Sequence, residues 1–579
     1  MESKPDGAAL DPMALIITAL VLALAALYAL EHFSQDALKR QAAGGGTPSA
    51  AAPLLNRYLV ARTEVLRHPV GYGLGVLSAI GLVAGTVYGY SRLAVRRNAW
   101  AARRAEMEFK GELYSFEREV VDLPALIRAN PAPDKQVVLG VRPNGTPYYL
   151  TDAIRNTHLH IMGQIGSGKT KSAIEPLMFQ DLHRGRGVMF LDAKGAEDNE
   201  KRFLAFAAAT GRLAQTRVLT LNPGRVTHTY NVLHLVPGGD PQAVAERVFS
   251  TFEADMDNPF YKGQARLFFT NLVKALAGTG KPFHMMDAVA CVTSPEILDH
   301  ALQMTSDGAA KRMLISQMNQ LGKDGPKALT GLLEALQRYD HPAINVYDPD
   351  IVLENSMDES GVIGFFLPVN YYRYLARYIG IVILQHIQQV GSQRQLDRSR
   401  LQTPFGIFAD EFYCFAYEQF ITSLNMLRDA CVNFHLAHQS VADLERVSPE
   451  FAAGIFDNCR TKLILLQTNP DLCESLAKTL GTEKTQEMTL RRSADAFLNK
   501  TNMLEASTKE VDQYRLHPSR IKMLKTGQGY LLQDAEHTAL NMQILPDLPD
   551  APPLTPPRKQ TTVGVNLYDL LVRGGEAAP

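Results

Sequence analysis

Cysteine is scarce in this chain: Cys291, Cys414, Cys431, Cys459 and Cys473 are the only five in 579 residues. They are dispersed and no two form a C-x-x-C pair, so neither a metal site nor a disulfide framework is read from them. They read as small buried hydrophobes in a reducing compartment. Excess charge of one sign is also missing, with 59 Lys and Arg against 60 Asp and Glu. No global basic field marks a nucleic-acid binder, so any such contact has to be a local surface. No internal repeat is present, which excludes a solenoid. The length exceeds what one core organises, and two or three units are expected.

Long apolar runs, by contrast, are present at the amino terminus. Met13–Leu30 and Val70–Tyr90 are uncharged, and each is close to the ~20 residues that cross a bilayer. The flank of the first carries Glu2, Asp6 and Asp11 against Lys4 alone, the wrong bias for a signal peptide, and no small-residue cleavage site follows. The run therefore reads as an uncleaved anchor. The second holds Gly81, Gly85 and Gly89, a stripe that either packs helices closely in lipid or is simply tolerated there. Positive charge orients the two spans weakly, because arginines lie both after the second span and in the 31–69 loop. A cytoplasmic nucleotide site downstream makes that loop exterior (periplasmic), with a flexible Gly44–Pro53 tether. The only tryptophan, Trp100, sits among Arg92, Arg96, Arg97, Arg103 and Arg104. This suits an interfacial helix on anionic headgroups, or a solvated linker helix.

Beyond residue 134 the patterning becomes α/β. Val137–Val141 and Pro147–Leu150 flank Asn144-Gly145, a hairpin signal. His158–Met162 reads as a strand, Thr170 to about Gln180 as a helix, and Gly187–Asp192 and Arg217–Leu221 as further strands. This β-α-β order predicts a parallel sheet covered by helices on both faces. From about 241 to 340 the periodicity is helical, as in Gly263–Ala277 with Ala265, Phe268, Leu272, Ala275 and Leu276 on one face. Strands resume at Gly361–Leu367, followed by a long helix over Tyr371–Gln389 and strands at Phe405–Ala409, Asn433–Ala437 and Lys462–Gln467. Thr482–Asp512 reads as a polar, mobile segment. Gly527–Leu532 and Leu540–Leu545 read as closing strands, and a proline-rich tail ends in the amphipathic piece Asn566–Arg573.

Chemistry concentrates in two places. Gly163-Gln164-Ile165-Gly166-Ser167-Gly168-Lys169-Thr170 fits the phosphate-loop pattern. Its glycines let backbone N–H groups approach phosphate oxygens, Lys169 reaches the β/γ-phosphates, and Thr170 offers a hydroxyl to Mg2+. The following helix aims its positive N-terminus at the same anion. Phe405–Ala409 then leads into Asp410 and Glu411, two carboxylates at the C-terminal edge of a parallel strand, where ligands bind. Asp410 is expected to hold Mg2+ and Glu411 to position or deprotonate the attacking water. Asp192 also ends a buried strand, but Ala193, Lys194 and Gly195 follow it. Asp192 and Lys194 are therefore expected to support the site or to pair at a subunit contact. Gln439, at the end of the strand that closes on His438, either senses the γ-phosphate or lytic water or belongs to a helix cap, for which Ser440 is better placed. Arg428, just before that strand, is either an arginine finger reaching a neighbouring subunit or a surface residue near a helix end.

Taken together, these residues resemble the type IV secretion and conjugation coupling proteins, the TraD/TraG-like branch of the FtsK/HerA P-loop ATPases. The resemblance rests on the two amino-terminal spans, "HLHIMGQIGSGKT", "LDAKG", the helical insertion, "FGIFADEF", "AHQS" and "NCRTKLIL". It runs from about Lys135 to Leu545. Gln164-Ile165 stands where the family usually has Pro-Thr, and Ala193 where it has proline, and neither removes a catalytic group. The short tail lacks the long acidic extension of some relatives, which puts cargo docking by the tail in doubt. The resemblance implies a RecA-like motor over 135–240 and 345–545, an all-α domain over 241–344, a membrane anchor over 1–95, a linker over 96–134 and a tail over 546–579. It further implies ATP and Mg2+ as cofactors and a hexamer at the bacterial inner membrane. The partners it implies are secretion-channel components, a relaxase or effector adaptor, and single-stranded DNA. A chromosome-type DNA translocase and an ATP-gated docking scaffold are the alternatives. A winged-helix DNA reader would mark the translocase, and the intact Lys169, Asp410 and Glu411 argue against a scaffold with a dead site.

Overall fold

The computed structural model describes residues 122–573 except 257, 323–324, 398–403, 492–504, 535, 543 and 555–561. The chain divides into two units, 1–115 and 116–579, and the described residues lie in the second. The expected spans 13–30 and 70–90, the loop 31–69 and most of the linker 96–134 lie outside the described residues. Among the described residues, no helix is long and apolar enough to cross a membrane.

An 11-stranded sheet organises the unit. Its strands in chain order are β1 (Gln136–Val141), β2 (Pro147–Thr151), β3 (Leu159–Met162), β4 (Gly187–Asp192), β5 (Thr216–Thr220), β6 (Val362–Phe366), β7 (Phe405–Asp410), β8 (Val432–His438), β9 (Thr461–Ile464), β12 (Gln528–Gln533) and β13 (Glu536–Asn541). A separate hairpin supplies β10 (Thr482–Arg491) and β11 (Glu505–Tyr514). The spatial order is β2-β1-β13-β12-β9-β3-β8-β7-β4-β6-β5. Pairing is parallel from β9 to β5 and antiparallel among β9, β12, β13, β1 and β2. The fold is mixed α/β with a large, mainly parallel sheet.

Alternation along the strands builds two cores. In β4, Val188 and Phe190 face one side, with the helices Glu175–His183 and Glu197–Ala209, while Met189 and Leu191 face the other. The second side packs against Arg373–Leu396 and the α-helices between β5 and β6: Pro241–Phe249, Pro259–Ala277, Met285–Thr293, Pro295–Met304, Gly308–Leu321, Gly325–Gln337 and Leu353–Asp358. Phe268, Leu272 and Leu276 of the helical stretch thus share one continuous core with the sheet. Burying both faces explains why the parallel strands read as unbroken apolar runs.

Three segments differ from expectation. Thr482–Asp512 contains the hairpin β10–β11, paired from Thr482 with Tyr514 to Arg491 with Glu505. A polar antiparallel ladder held by backbone bonds leaves no apolar alternation to read. The last strand ends at Asn541 instead of beginning at Leu540. Asp534 leaves β12 in the left-handed region (φ 56°), and β13 pairs back on β12 from Glu536 opposite Gln533 to Asn541 opposite Gln528. The helix after the phosphate loop opens with a wide π turn over Lys169–Ile174 before the α-helix begins. Pro176 has no N–H for the carbonyl four residues earlier, which favours the wider turn there.

Candidate functional site

Strand order assembles the site. β3, which feeds the phosphate loop, lies beside β8, and β8 lies beside β7. Residues 163–170, Asp410 with Glu411, and Gln439 therefore emerge together at the C-terminal edge of three adjacent parallel strands.

The loop is held on all sides. Gly163 N–H donates to His438 O (3.2 Å) and Gln164 N–H to Leu466 O (3.0 Å). Thr468 Oγ1 donates to Gln164 Oε1 (2.8 Å), Thr526 Oγ1 to Gly166 O (3.0 Å) and Gly527 N–H to Ser167 O (3.1 Å). Ile165 stands exposed at the tip. A Cβ on Gly163 would come within 2.4 Å of Ser167 Oγ. Gly168 has φ 96°, and a Cβ there would meet Ser172 Oγ at 2.7 Å, so a side chain is both strained and crowded at that position. Lys169 Nζ donates to Gly163 O (2.7 Å), and burial lowers its pKa.

Thr170 Oγ1 donates to Asp410 Oδ2 (2.6 Å), so the two expected metal ligands aim at one point. Asp410 is buried, and that burial raises its pKa, opposed by the Thr170 hydrogen bond and by Lys194. Hard oxygen ligands of this kind beside a phosphate loop suit Mg2+, which prefers one or two carboxylates, substrate phosphates and retained water. Glu411 sits in the left-handed region at φ 52°, a conformation that costs free energy in a non-glycine residue and is found disproportionately at functional sites. Its N–H donates to Asp410 Oδ1 (3.0 Å).

Two partners fix the Glu411 carboxylate. Lys194 Nζ lies 2.8 Å from Oε1, and Gln439 Nε2 reaches both oxygens at 3.4 Å. Burial works against the charge on Lys194, but the hydrogen bond to Glu411 and the field of Asp410 outweigh it and raise its pKa. Gln467 Nε2 donates to Gln439 O (2.8 Å) and steadies the strand end. Asp192 lies beside Asp410 in register but accepts from Lys194 N–H, Ala196 N–H and Asn199 Nδ2 (3.0, 3.1 and 3.0 Å). It therefore shapes the loop that presents Lys194. Burial raises its pKa, and the neighbouring Asp410 adds to this. Ser440, rather than Gln439, caps the helix Val441–Glu445, with Asp443 Oδ2 accepting its N–H (2.9 Å).

Arg428 lies elsewhere. It starts the turn Arg428–Ala430, exposed, at the N-terminal end of β8, so within one chain it occupies the sheet edge opposite the phosphate loop. There it lines a cavity of about 420 Å³ with His158, Asp457, Arg460, Lys462 and Asp534. Arg460 is held by Asp534 through Nε (2.7 Å) and Nη2 (2.9 Å). The contacts of Thr468, Thr526 and Gly527 with the phosphate loop had no signal in the sequence, because they depend on which strands are neighbours.

Residues 404–526 match the family described as the TraM recognition site of TraD and TraG. The resemblance to the TraD/TraG-type coupling proteins holds. No curated protein matches the chain. Among solved structures, the bacterial conjugative coupling protein TrwBΔN70 in its unbound monoclinic form has a TM-score of 0.53 at 18% identity, over 75% of this chain and 93% of that one. The plasmid coupling protein TrwB with the non-hydrolysable ATP analogue ADPNP gives 0.53 at 18% identity, over 75% and 95%. TrwB with ADP and Mg2+ gives 0.52 at 18% identity, over 75% and 95%. At these identities the likeness is one of fold.

Proposed function

We propose that the chain is a coupling ATPase of conjugation or type IV secretion, a hexamer anchored in the bacterial inner membrane by residues 1–95. In this reading, residues 135–240 and 345–545 form the RecA-like motor, and the all-α region 241–344 faces cargo or its adaptors. The cargo is relaxase-bound single-stranded DNA, effector protein or both, delivered to the secretion channel. The segment 404–526 invites a relaxosome protein, in line with the family's description. One observation carries the proposal: Lys169, the Thr170–Asp410 pair (2.6 Å) and the Lys194–Glu411–Gln439 group meet at one sheet edge.

The roles follow from that geometry. The phosphate loop 163–170 would bind and orient the ATP phosphates through Lys169 and through its backbone N–H groups beyond Gln164, since those of Gly163 and Gln164 are taken by His438 O and Leu466 O. Thr170 and Asp410 would hold Mg2+, which would neutralise charge developing on the transferred phosphoryl group. Glu411 would take the proton of the attacking water, with Gln439 orienting that water. Lys194, already paired with Glu411, would hold the carboxylate in place. Arg428, from the opposite edge of a neighbouring subunit, would stabilise the transition state.

The test is phosphate release by the full-length protein in lipid nanodiscs, with and without single-stranded DNA. Turnover that rises with DNA and disappears in Lys169→Ala, with the variant still folded, supports the reading. Wild-type turnover in Lys169→Ala removes it.

A further inference from the structure

Two histidines lie buried beneath the site and serve none of the roles above. His160 on β3 and His438 on β8 occupy adjacent parallel strands, where His160 pairs with Leu436 and Met162 with His438. They are diagonal neighbours on one face of the sheet. Both are fully buried, and their ring centroids are 4.7 Å apart with planes 27° from parallel. Nε2 of one meets Nε2 of the other.

The hydrogen-bond pattern fixes the tautomers. His438 Nδ1 lies 2.8 Å from Ser440 O. A carbonyl only accepts, so Nδ1 carries the hydrogen and His438 Nε2 offers a lone pair. The hydrogen between the rings therefore belongs to His160 Nε2, which leaves His160 Nδ1 unprotonated. That nitrogen has no partner among the described residues. Two neutral imidazoles thus form one directed chain, His160 Nε2–H to His438, then His438 Nδ1–H to Ser440 O. Aliphatic side chains would fill the same strand positions without the desolvation cost of two rings. What the rings add is direction.

That direction bears on the site at two points. The carbonyl of His438 accepts the N–H of Gly163, the first residue of the phosphate loop (3.2 Å). The residue after His438 is Gln439, whose amide contacts Glu411. We propose that the His160–His438 pair is a positioning device that locks the phosphate-loop strand to the Gln439 strand. It keeps the distance between bound phosphate and the water-orienting amide the same from one turnover to the next. The proposal rests on the ATP-hydrolysis reading and adds two residues that touch neither nucleotide nor water.

Three variants of the full-length protein separate positioning from bulk packing. His160→Leu fills the space but removes the donor. His160→Gln keeps an N–H donor at the Nε2 position. His438→Asn keeps a donor for Ser440 O but removes the acceptor facing His160. His160→Leu and His438→Asn are each expected to lower kcat by about tenfold with KM for ATP unchanged, the pattern of an interaction used only in the transition state. Their combination should lose no more than either alone, because both cut one link. His160→Gln should stay within about twofold of wild type.

Normal kcat in His160→Leu and His438→Asn overturns the proposal, as do losses that multiply in the double variant. So does a raised KM or lowered melting temperature with kcat intact, which describes packing alone. If His160→Leu does not fold, His438→Asn against His160→Gln carries the same comparison. Failure of the underlying reading looks different, because wild type itself would then show no ATP turnover sensitive to Lys169→Ala.

Discussion

At the scale of the residue, Lys169 with Thr170 and Asp410 with Glu411 meet at one edge of the sheet, and Arg428 lies at the other. The β7 run ending in Asp410 and Glu411 and the glycine-spaced loop ending in Lys169 and Thr170 could be read because spacing encodes both. Strand adjacency could not be read. It joins Lys194 to Glu411, sets His160 against His438 and puts Arg428 on the far edge of the sheet. Only a neighbouring subunit can therefore bring Arg428 to a phosphate loop. Arg428→Ala should cut turnover by roughly 10^3-fold or more while sparing nucleotide affinity. Rings mixed from Arg428→Ala and Glu411→Gln subunits should regain activity where an intact arginine meets an intact glutamate. Normal turnover in assembled Arg428→Ala would return the residue to the surface and make Arg460 the next candidate.

At the scale of the element, the parallel strands and long helices followed their apolar patterns, whereas the β10–β11 hairpin and the fate of the tail did not. The amphipathic piece at 566–573 forms the helix Leu567–Val572, which has no side-chain cap of its own. Asp287 of the helix Met285–Thr293 supplies one, accepting N–H from Leu567 (2.9 Å) and Tyr568 (3.1 Å), while Val565 N–H donates to Pro282 O (3.0 Å). A carboxylate capping a helix 280 residues away leaves no local signature. Asp287→Ala should remove roughly 1–2 kcal/mol from this docking. Limited proteolysis should then cut the tail near Val563 in the variant well before it does so in wild type. Equal cleavage rates would mean that apolar contacts and the bonds of Val565 to Pro282 O and of Asn566 to Tyr347 hold the tail without this cap.

At the scale of the whole molecule, the fold buries several neutral histidines at once, on or beside the strands and on the helix Arg373–Leu396 packed against them. Burial pushes the pKa of His158, His386 and His438 down to about 4, and those of His160 and His435 well below the ordinary value. A group whose folded pKa is depressed contributes stability that is present above the unfolded pKa, about 6.5 for histidine, and is lost as pH falls toward the folded value. The melting temperature should therefore drop steadily between about pH 6.5 and pH 4, in step with proton uptake on unfolding. A flat profile across that window would mean that these rings are not buried as neutral groups.

If this sheet edge hydrolyses ATP with Glu411 as the base, Glu411→Gln should bind ATP and fail to turn it over. The amide keeps the shape of the side chain but cannot take a proton. The measurement is steady-state phosphate release at saturating ATP, with bound nucleotide counted in the same sample. Glu411→Gln should hold about one unhydrolysed ATP per competent site, with a turnover at least ~10^2-fold below wild type. Wild-type turnover in Glu411→Gln, or loss of ATP binding with Asp410 intact, would contradict that role for Glu411.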